Sequence, residues 1–248
     1  MGDFFSAKAW AKGIGNIEFS AGRILAVVLI TVLSLTGLTI LLPVLLNSRQ
    51  VPLREASPLL LFFAAIGLGF MLVEISQMQR LIIFLGHPTY GLSVVLFSLL
   101  LAGGFGSYLT RTVDPFDRKR GGKRQLYLLV GVLILFGVFT SPLIRVFESS
   151  QTPVRIFVAA AILLPLGVVM GMAFPLGMKI ASEYSAALTP WFWGINGATS
   201  VCASVLAVAI ALSWGISASY WTGCFFYVLA FAAFEMACRG RRSEQTSP

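Results

Sequence analysis

Leu59 to Leu109 reads LLLFFAAIGLGFMLVEISQMQRLIIFLGHPTYGLSVVLFSLLLAGGFGSYL. Two apolar runs, about 59–73 and 90–109, flank a polar centre of Glu74, Gln77, Gln79, Arg80 and the pair His87–Pro88. At a rise of about 1.5 Å per residue, roughly 20 residues cross a hydrocarbon core about 30 Å thick. The second run has that length, and the first reaches it when continued through the polar centre to Leu85. Backbone polar groups in lipid must pair within the protein, so a span is a helix or a strand of a closed barrel. The continuous run 24–46 excludes a barrel, whose strands alternate in polarity.

The rest of the chain agrees with this reading. Hydrophobic residues make up 57% of the 248 positions, and charged residues only 11%. Soluble domains carry about 45–50% and about 25%. The mean hydropathy is +0.87. The fold class is therefore all-α, a polytopic transmembrane helix bundle. The expected spans, about seven, are 24–46, 58–85, 90–109, 126–146, 154–180, 191–214 and 216–237. Ahead of them, residues 1–22 place Phe4, Phe5, Trp10, Ile14 and Ile17 near helical spacing with Lys8 and Lys12 between, the pattern of an amphipathic helix lying in the interface. A disordered leader is the other reading of that segment. Residues 238–248 form a polar, basic tail.

A net charge of +8 raises the question of nucleic acid. The basic residues, however, sit in short loops and at the termini, so we read them as topology signals and lipid-headgroup contacts and expect no nucleic-acid partner. The main cluster is Arg118, Lys119, Arg120, Lys123 and Arg124, between the third and fourth spans. With seven spans, 12 of the 18 Lys and Arg fall on the side of that loop. This places the long loop and the C-terminus in the cytoplasm.

Glu74, Gln77 and Arg80 share a helix face at spacings of three. Counted from Pro58, Glu74 lies about 24 Å and Arg80 about 33 Å along the helix, so Glu74 is inside the core and Arg80 near its far edge. One reading is a hydrogen-bonded Glu–Gln–Arg ladder that only stabilises the bundle. The other is a proton, ion or polar-substrate contact at Glu74, because ionisable groups inside membranes are costly and mark pathways. His87, the sole histidine, reads either as a cap at a turn or as a titrating gate. Glu235 and Arg239 are placed to pair along one helix. Gly67, Gly103, Gly167, Gly171 and Gly197 are small residues that let helix backbones approach.

Several chemistries are argued against. One histidine cannot build a bis-histidine haem or a multi-histidine metal centre. No Gly-x-Ser-x-Gly elbow is present. Gly67-x-Gly69 and Gly103-Gly104-x-Gly106 follow no strand and are not dinucleotide fingerprints. Cys202, Cys224 and Cys238 lack metal spacing and read as small packing residues. We expect no catalytic residues, no metal and no cofactor, with bound lipid as the one foreseeable ligand.

Three segments carry a family resemblance: GLGFMLVEISQMQRLIIFLGHPTYGLSVVLFSLLLAGGFGS (67–107), GMAFPLGM (171–178) and PWFWGINGATSVCASVLAV (190–208). They resemble the membrane part of bacterial spermidine-synthase-like membrane proteins. The resemblance covers about half of the chain. In that family, membrane helices accompany a Rossmann-type S-adenosylmethionine-binding domain related to polyamine aminopropyltransferases. No motif of such a domain occurs here, so aminopropyl transfer is not expected of this chain. The resemblance implies a bacterial inner membrane location. It also places a cytoplasmic domain just before the first span, which runs against the charge count. The expectation is a non-catalytic scaffold or accessory subunit among other membrane subunits and lipids. The alternatives are a small-solute or ion transporter using the Glu/Gln/Arg cluster, and a membrane partner of a separate S-adenosylmethionine-dependent enzyme.

Overall fold

The computed structural model describes residues 17–38, 53–115, 121–184 and 188–245, with side chains over 23–35, 37–38, 56–115, 121–182 and 188–238. The expected interfacial segment (1–22) therefore lies outside the described residues up to position 16, as do 39–46 of the first expected span and Arg118, Lys119 and Arg120 of the basic loop. Every described element is a helix. They are α1 (Ile17–Thr36), α2 (Leu53–Leu85), α3 (Pro88–Leu109), α4 (Gly122–Phe147), α5 (Thr152–Tyr184), α6 (Thr189–Trp214) and α7 (Ile216–Gln245). A 3-10 turn, Thr110–Thr112, extends α3.

Six of these helices are long and apolar enough to cross a membrane: Ala56–Leu85, Pro88–Thr112, Gly122–Phe147, Thr152–Ser182, Thr189–Trp214 and Ile216–Cys238. The apolar stretch of α1, Arg23–Leu35, is shorter than a span within the described residues. Two helices outrun the sequence reading. α2 starts at Leu53 and takes Pro58 into its interior, where the loop 47–57 was expected. α7 carries helix through most of the expected polar tail, to Gln245. Its Arg and Glu residues are good helix formers, so polarity alone does not end it.

The connections alternate in character. At one end, here the tight-turn end, α2 passes to α3 through Gly86 and His87, and α6 to α7 through Gly215 alone. Gly86 has φ 74° and Gly215 has φ 93°, a region that L side chains rarely adopt, so glycine belongs at both turns. His87 caps α3: its Nδ1 accepts from the Thr89 N–H at 3.3 Å, and Pro88 follows in the first turn, where its missing N–H does no harm. At the opposite, basic end lie the segment after Thr112, Lys123, Arg124 and Lys179.

α2 is the central helix. It packs against α3, α5, α6 and α7, while α3 lies along α5. Around α2 the main core gathers Leu59, Phe62 and Phe63 with Phe192, Tyr227 and Phe234. Since lipid tails are as apolar as leucine, close packing of small residues supplies much of the association. A methyl on Gly67 would meet the Asn196 backbone oxygen at 2.6 Å, and one on Gly167 would meet the Ala102 methyl at 2.8 Å. A methyl on Gly171 would run into the backbone of Gly103, and one on Gly106 into the carbonyl of Val168. Gly103 itself is less crowded, with its nearest neighbour 3.9 Å from a built methyl. Gly197 departs from the expectation. It is exposed, and a built methyl has nothing within 4 Å among the described residues, because it lies off the α6 face that packs on α2.

Two basic side chains of α5 stitch neighbouring helix ends. Arg155 donates to the Ser150 carbonyl at 2.8 Å and to the Phe84 carbonyl, in the last turn of α2, at 3.3 Å. Lys179 donates to the carbonyls of Thr110, Arg111 and Val113 at 2.7, 2.9 and 2.6 Å. Carbonyls at a helix C-terminus lack intrahelical partners and carry partial negative charge, so a cation suits them. Glu235 on α7 forms an ion pair with Lys123 on α4 at 2.6 Å. The Arg239 side chain, its expected partner, lies outside the described side chains. The Lys123 side chain is 44% exposed. A Lys123→Ala/Glu235→Ala double-mutant cycle is therefore expected to give a coupling below about 1 kcal/mol. That coupling should shrink further in high salt. A salt-independent coupling of several kcal/mol in thermal unfolding would contradict this.

Candidate functional site

The polar centre of α2 meets α7 in antiparallel register. Val73 lies against Gly223, and one to two turns on, Arg80 lies against Ser217 and Tyr220. Arg80 is buried. One guanidinium nitrogen, Nη2, donates to the Ser217 hydroxyl at 3.1 Å. The guanidinium carbon sits 5.0 Å from the centre of the Tyr220 ring, a cation–π contact. The Tyr220 hydroxyl donates to the Leu133 carbonyl of α4 at 2.8 Å, which ties a third helix to the group. Gly137 of α4 makes this possible, since a methyl there would meet the Tyr220 ring at 2.8 Å.

The expected ladder does not form. Gln77 is fully buried, yet neither its amide oxygen nor its amide nitrogen has a hydrogen-bond partner. Arg80 Nη1 is likewise buried and unpartnered. The physical reason is that Arg80 turns toward α7, where Ser217 and the Tyr220 ring compete for it. Two further buried hydroxyls, Ser219 on α7 and Thr140 on α4, also lack partners. The α2–α7 register brings Ser219 level with Ser76 and Gln77. Thr140 stands one turn beyond Gly137, level with the start of α7. The structure thus joins Arg80 from α2 to Ser217 and Tyr220 from α7, and places Gln77, Ser219 and Thr140 at a similar depth by helix register. All lie in the tight-turn half of the bundle. Counting back from Leu85, Arg80 is about 8 Å from the end of α2.

Glu74 stands apart from this group. It is half-buried, about 16 Å from the end of α2. It makes no hydrogen bond to Gln77 or Arg80. It lies close enough to Tyr227 of α7 for the two to interact electrostatically. His87 belongs to the turn, exposed and with its ring 5.4 Å from that of Tyr90. Sequence reasoning therefore placed Gln77 and Arg80 at one site and joined Glu74 and His87 to it; the structure separates the latter two. It missed Ser217, Tyr220 and Thr140. Their signal is faint but present: Ser217, Tyr220 and Cys224 follow helical spacing down one face of α7.

Chemically the group is rich in donors and poor in acids. Arg80, Gln77, Ser219 and Thr140 can all donate, and among the described residues Arg80 has no ion-pair partner. A buried cation without a counter-charge is expensive, more so at membrane depth. The arrangement suits a small anion, with hydroxyl and amide donors completing its shell. No group of three or more His, Cys, Asp or Glu that could hold a metal occurs among the described residues. Cys202, Cys224 and Cys238 form no disulfide among the described residues.

Fold and composition together define a multi-pass helical membrane protein. Comparison with protein-family models, with curated proteins and with solved structures returns no match.

Proposed function

We propose that this chain is a non-catalytic membrane protein that handles a small anion, in the manner of an ion or small-solute transporter. The observation that supports it is Arg80. Its guanidinium is buried where α2 meets α7 and retains an unpartnered nitrogen, and Gln77, three residues before it on α2, has an unpaired amide. In a purely structural lock those atoms would be satisfied by protein, since each buried unmet polar group costs about 1–3 kcal/mol. The test is anion flux in proteoliposomes reconstituted with the whole chain, using chloride, acetate and phosphate in turn. We expect flux of one of them that Arg80→Gln abolishes. Arg80→Met should also abolish it while leaving thermal stability equal or higher, because an apolar residue of similar size removes the desolvation cost. Flux that persists unchanged in Arg80→Gln sinks the proposal.

A second reading is an accessory subunit of a larger membrane complex, in which this chain would sit beside other subunits. α4 favours it. That helix packs chiefly on α5 and α7, and its outer face leaves Tyr127, Ile134, Val138 and Phe139 exposed along its length. Gentle purification from native membranes with mass spectrometry of the co-purifying chains separates the two readings. A stoichiometric partner supports the subunit reading, and a lone chain removes it. The resemblance to spermidine-synthase-like membrane proteins makes a separate S-adenosylmethionine-dependent enzyme one partner to look for in that experiment.

A further inference from the structure

α5 and α6 meet only sparsely although both lean on α2. Between them opens a lateral groove of about 320 Å³. Ile66, Gly67 and Phe70 of α2 form its floor, Met170 and Phe174 one wall, and Trp193 its exposed mouth. Trp193 is four residues inside α6, about 6 Å from the basic end, whereas Ser200 is about 16 Å in. The groove therefore runs from the interface toward the bilayer middle, the path of a single lipid chain. No Lys, Arg, Asp or Glu lines it.

The deep part of the groove is not purely apolar. Tyr227 lines it and is 1% exposed, yet its hydroxyl makes no hydrogen bond to a described residue. Asn196 also lines it. Its Nδ2 donates to the Phe63 carbonyl at 3.0 Å, which fixes the amide orientation and leaves Oδ1 as an acceptor. Gly171, on the wall, has its carbonyl freed as well: Pro175, four residues on, has no N–H to give it. One hydroxyl could accept from Tyr227 and donate to either acceptor.

We infer that this groove is a binding site for a membrane lipid with an uncharged, hydroxyl-bearing head, a fatty or isoprenoid alcohol, held head-inward at Tyr227 with its tail leaving past Trp193. A charged headgroup finds no partner in the lining, whereas a hydroxyl head at this depth can exchange hydrogen bonds with Tyr227 and the two acceptors beside it. The site is separate from the Arg80 group and independent of the anion reading.

The test uses the whole chain in detergent micelles and the quenching of Trp193, taken as the fluorescence difference from Trp193→Phe. The probes are a brominated fatty alcohol and a brominated phosphatidylcholine. The expected result is saturable quenching by the alcohol, weakened about tenfold in Tyr227→Phe, which loses one hydrogen bond. Quenching by the alcohol should disappear in Ser200→Phe, which fills the groove. The phosphatidylcholine should quench without saturation in every variant. If Ser200→Phe does not fold, judged by its unfolding transition, the conservative Tyr227→Phe decides alone. Equal, unsaturable quenching by both probes, or a Tyr227→Phe titration identical to the parent, overturns the proposal and leaves only bulk lipid against the groove.

Discussion

Gly106→Ala is expected to destabilise the protein by about 3 kcal/mol or more, beyond the usual range for overpacking, because the obstacle is backbone rather than a yielding side chain. A methyl at Gly106 would run into the Val168 carbonyl, so α3 and α5 could accommodate it only by moving apart along their whole contact. Gly171→Ala, which strikes the backbone of Gly103, should behave alike. Two controls sit on the same helix. Gly104 has nothing within 4 Å of a built methyl, so Gly104→Ala should be neutral or stabilising, by up to about 1 kcal/mol from helix propensity. Gly103→Ala should be mild, since its nearest neighbour stands at 3.9 Å. Thermal unfolding of the solubilised chain, followed by retention of the monodisperse form, reads all four. Should Gly106→Ala and Gly104→Ala unfold at the same temperature, the α3–α5 crossing is wider than described.

Lys179→Met should cost about 3 kcal/mol and loosen the segment after α3. The ammonium supplies hydrogen bonds to three carbonyls, at Thr110, Arg111 and Val113, that close the end of α3 and its 3-10 turn. Methionine keeps the stem and its packing and removes only the donors, so the loss reports unmet carbonyls rather than a cavity. Limited proteolysis within 110–121 should accelerate in Lys179→Met and return most of the way toward normal in Lys179→Arg. An unchanged cleavage rate would show that water replaces the lysine without loss.

The positions of most spans were legible because hydrophobic length is a one-dimensional signal. A run such as 126–146 needs no partner to declare itself. Helix ends were less legible. Pro58 marked a plausible start, but a proline in the second turn forfeits little, and α2 takes it in. Glycine pairing was legible in part: Gly171 gives itself away by spacing from Gly167, whereas Gly197 has the same look and faces outward. Orientation about the helix axis decides such cases, and uniformly apolar helices hide it. The site shows the same limit. Gln77 and Arg80 were visible as polar residues in an apolar run. The residues that hold Arg80, Ser217 and Tyr220, lie on a helix more than 130 positions away and look ordinary there.

The brevity of the turns at Gly86–His87, 148–151 and Gly215 has a consequence for biosynthesis. Two residues reach about 7 Å, far less than a hydrocarbon core of about 30 Å. Neither helix of such a pair can thread the bilayer while its mate waits on the surface. α2 with α3, α4 with α5, and α6 with α7 are thereby coupled in pairs, each pair entering as one hairpin. The hairpin tips amount to little more than a glycine–histidine corner, a four-residue bend and one glycine. Because the three turns share one end of the bundle, fixing the direction of any one hairpin fixes the direction of the other two.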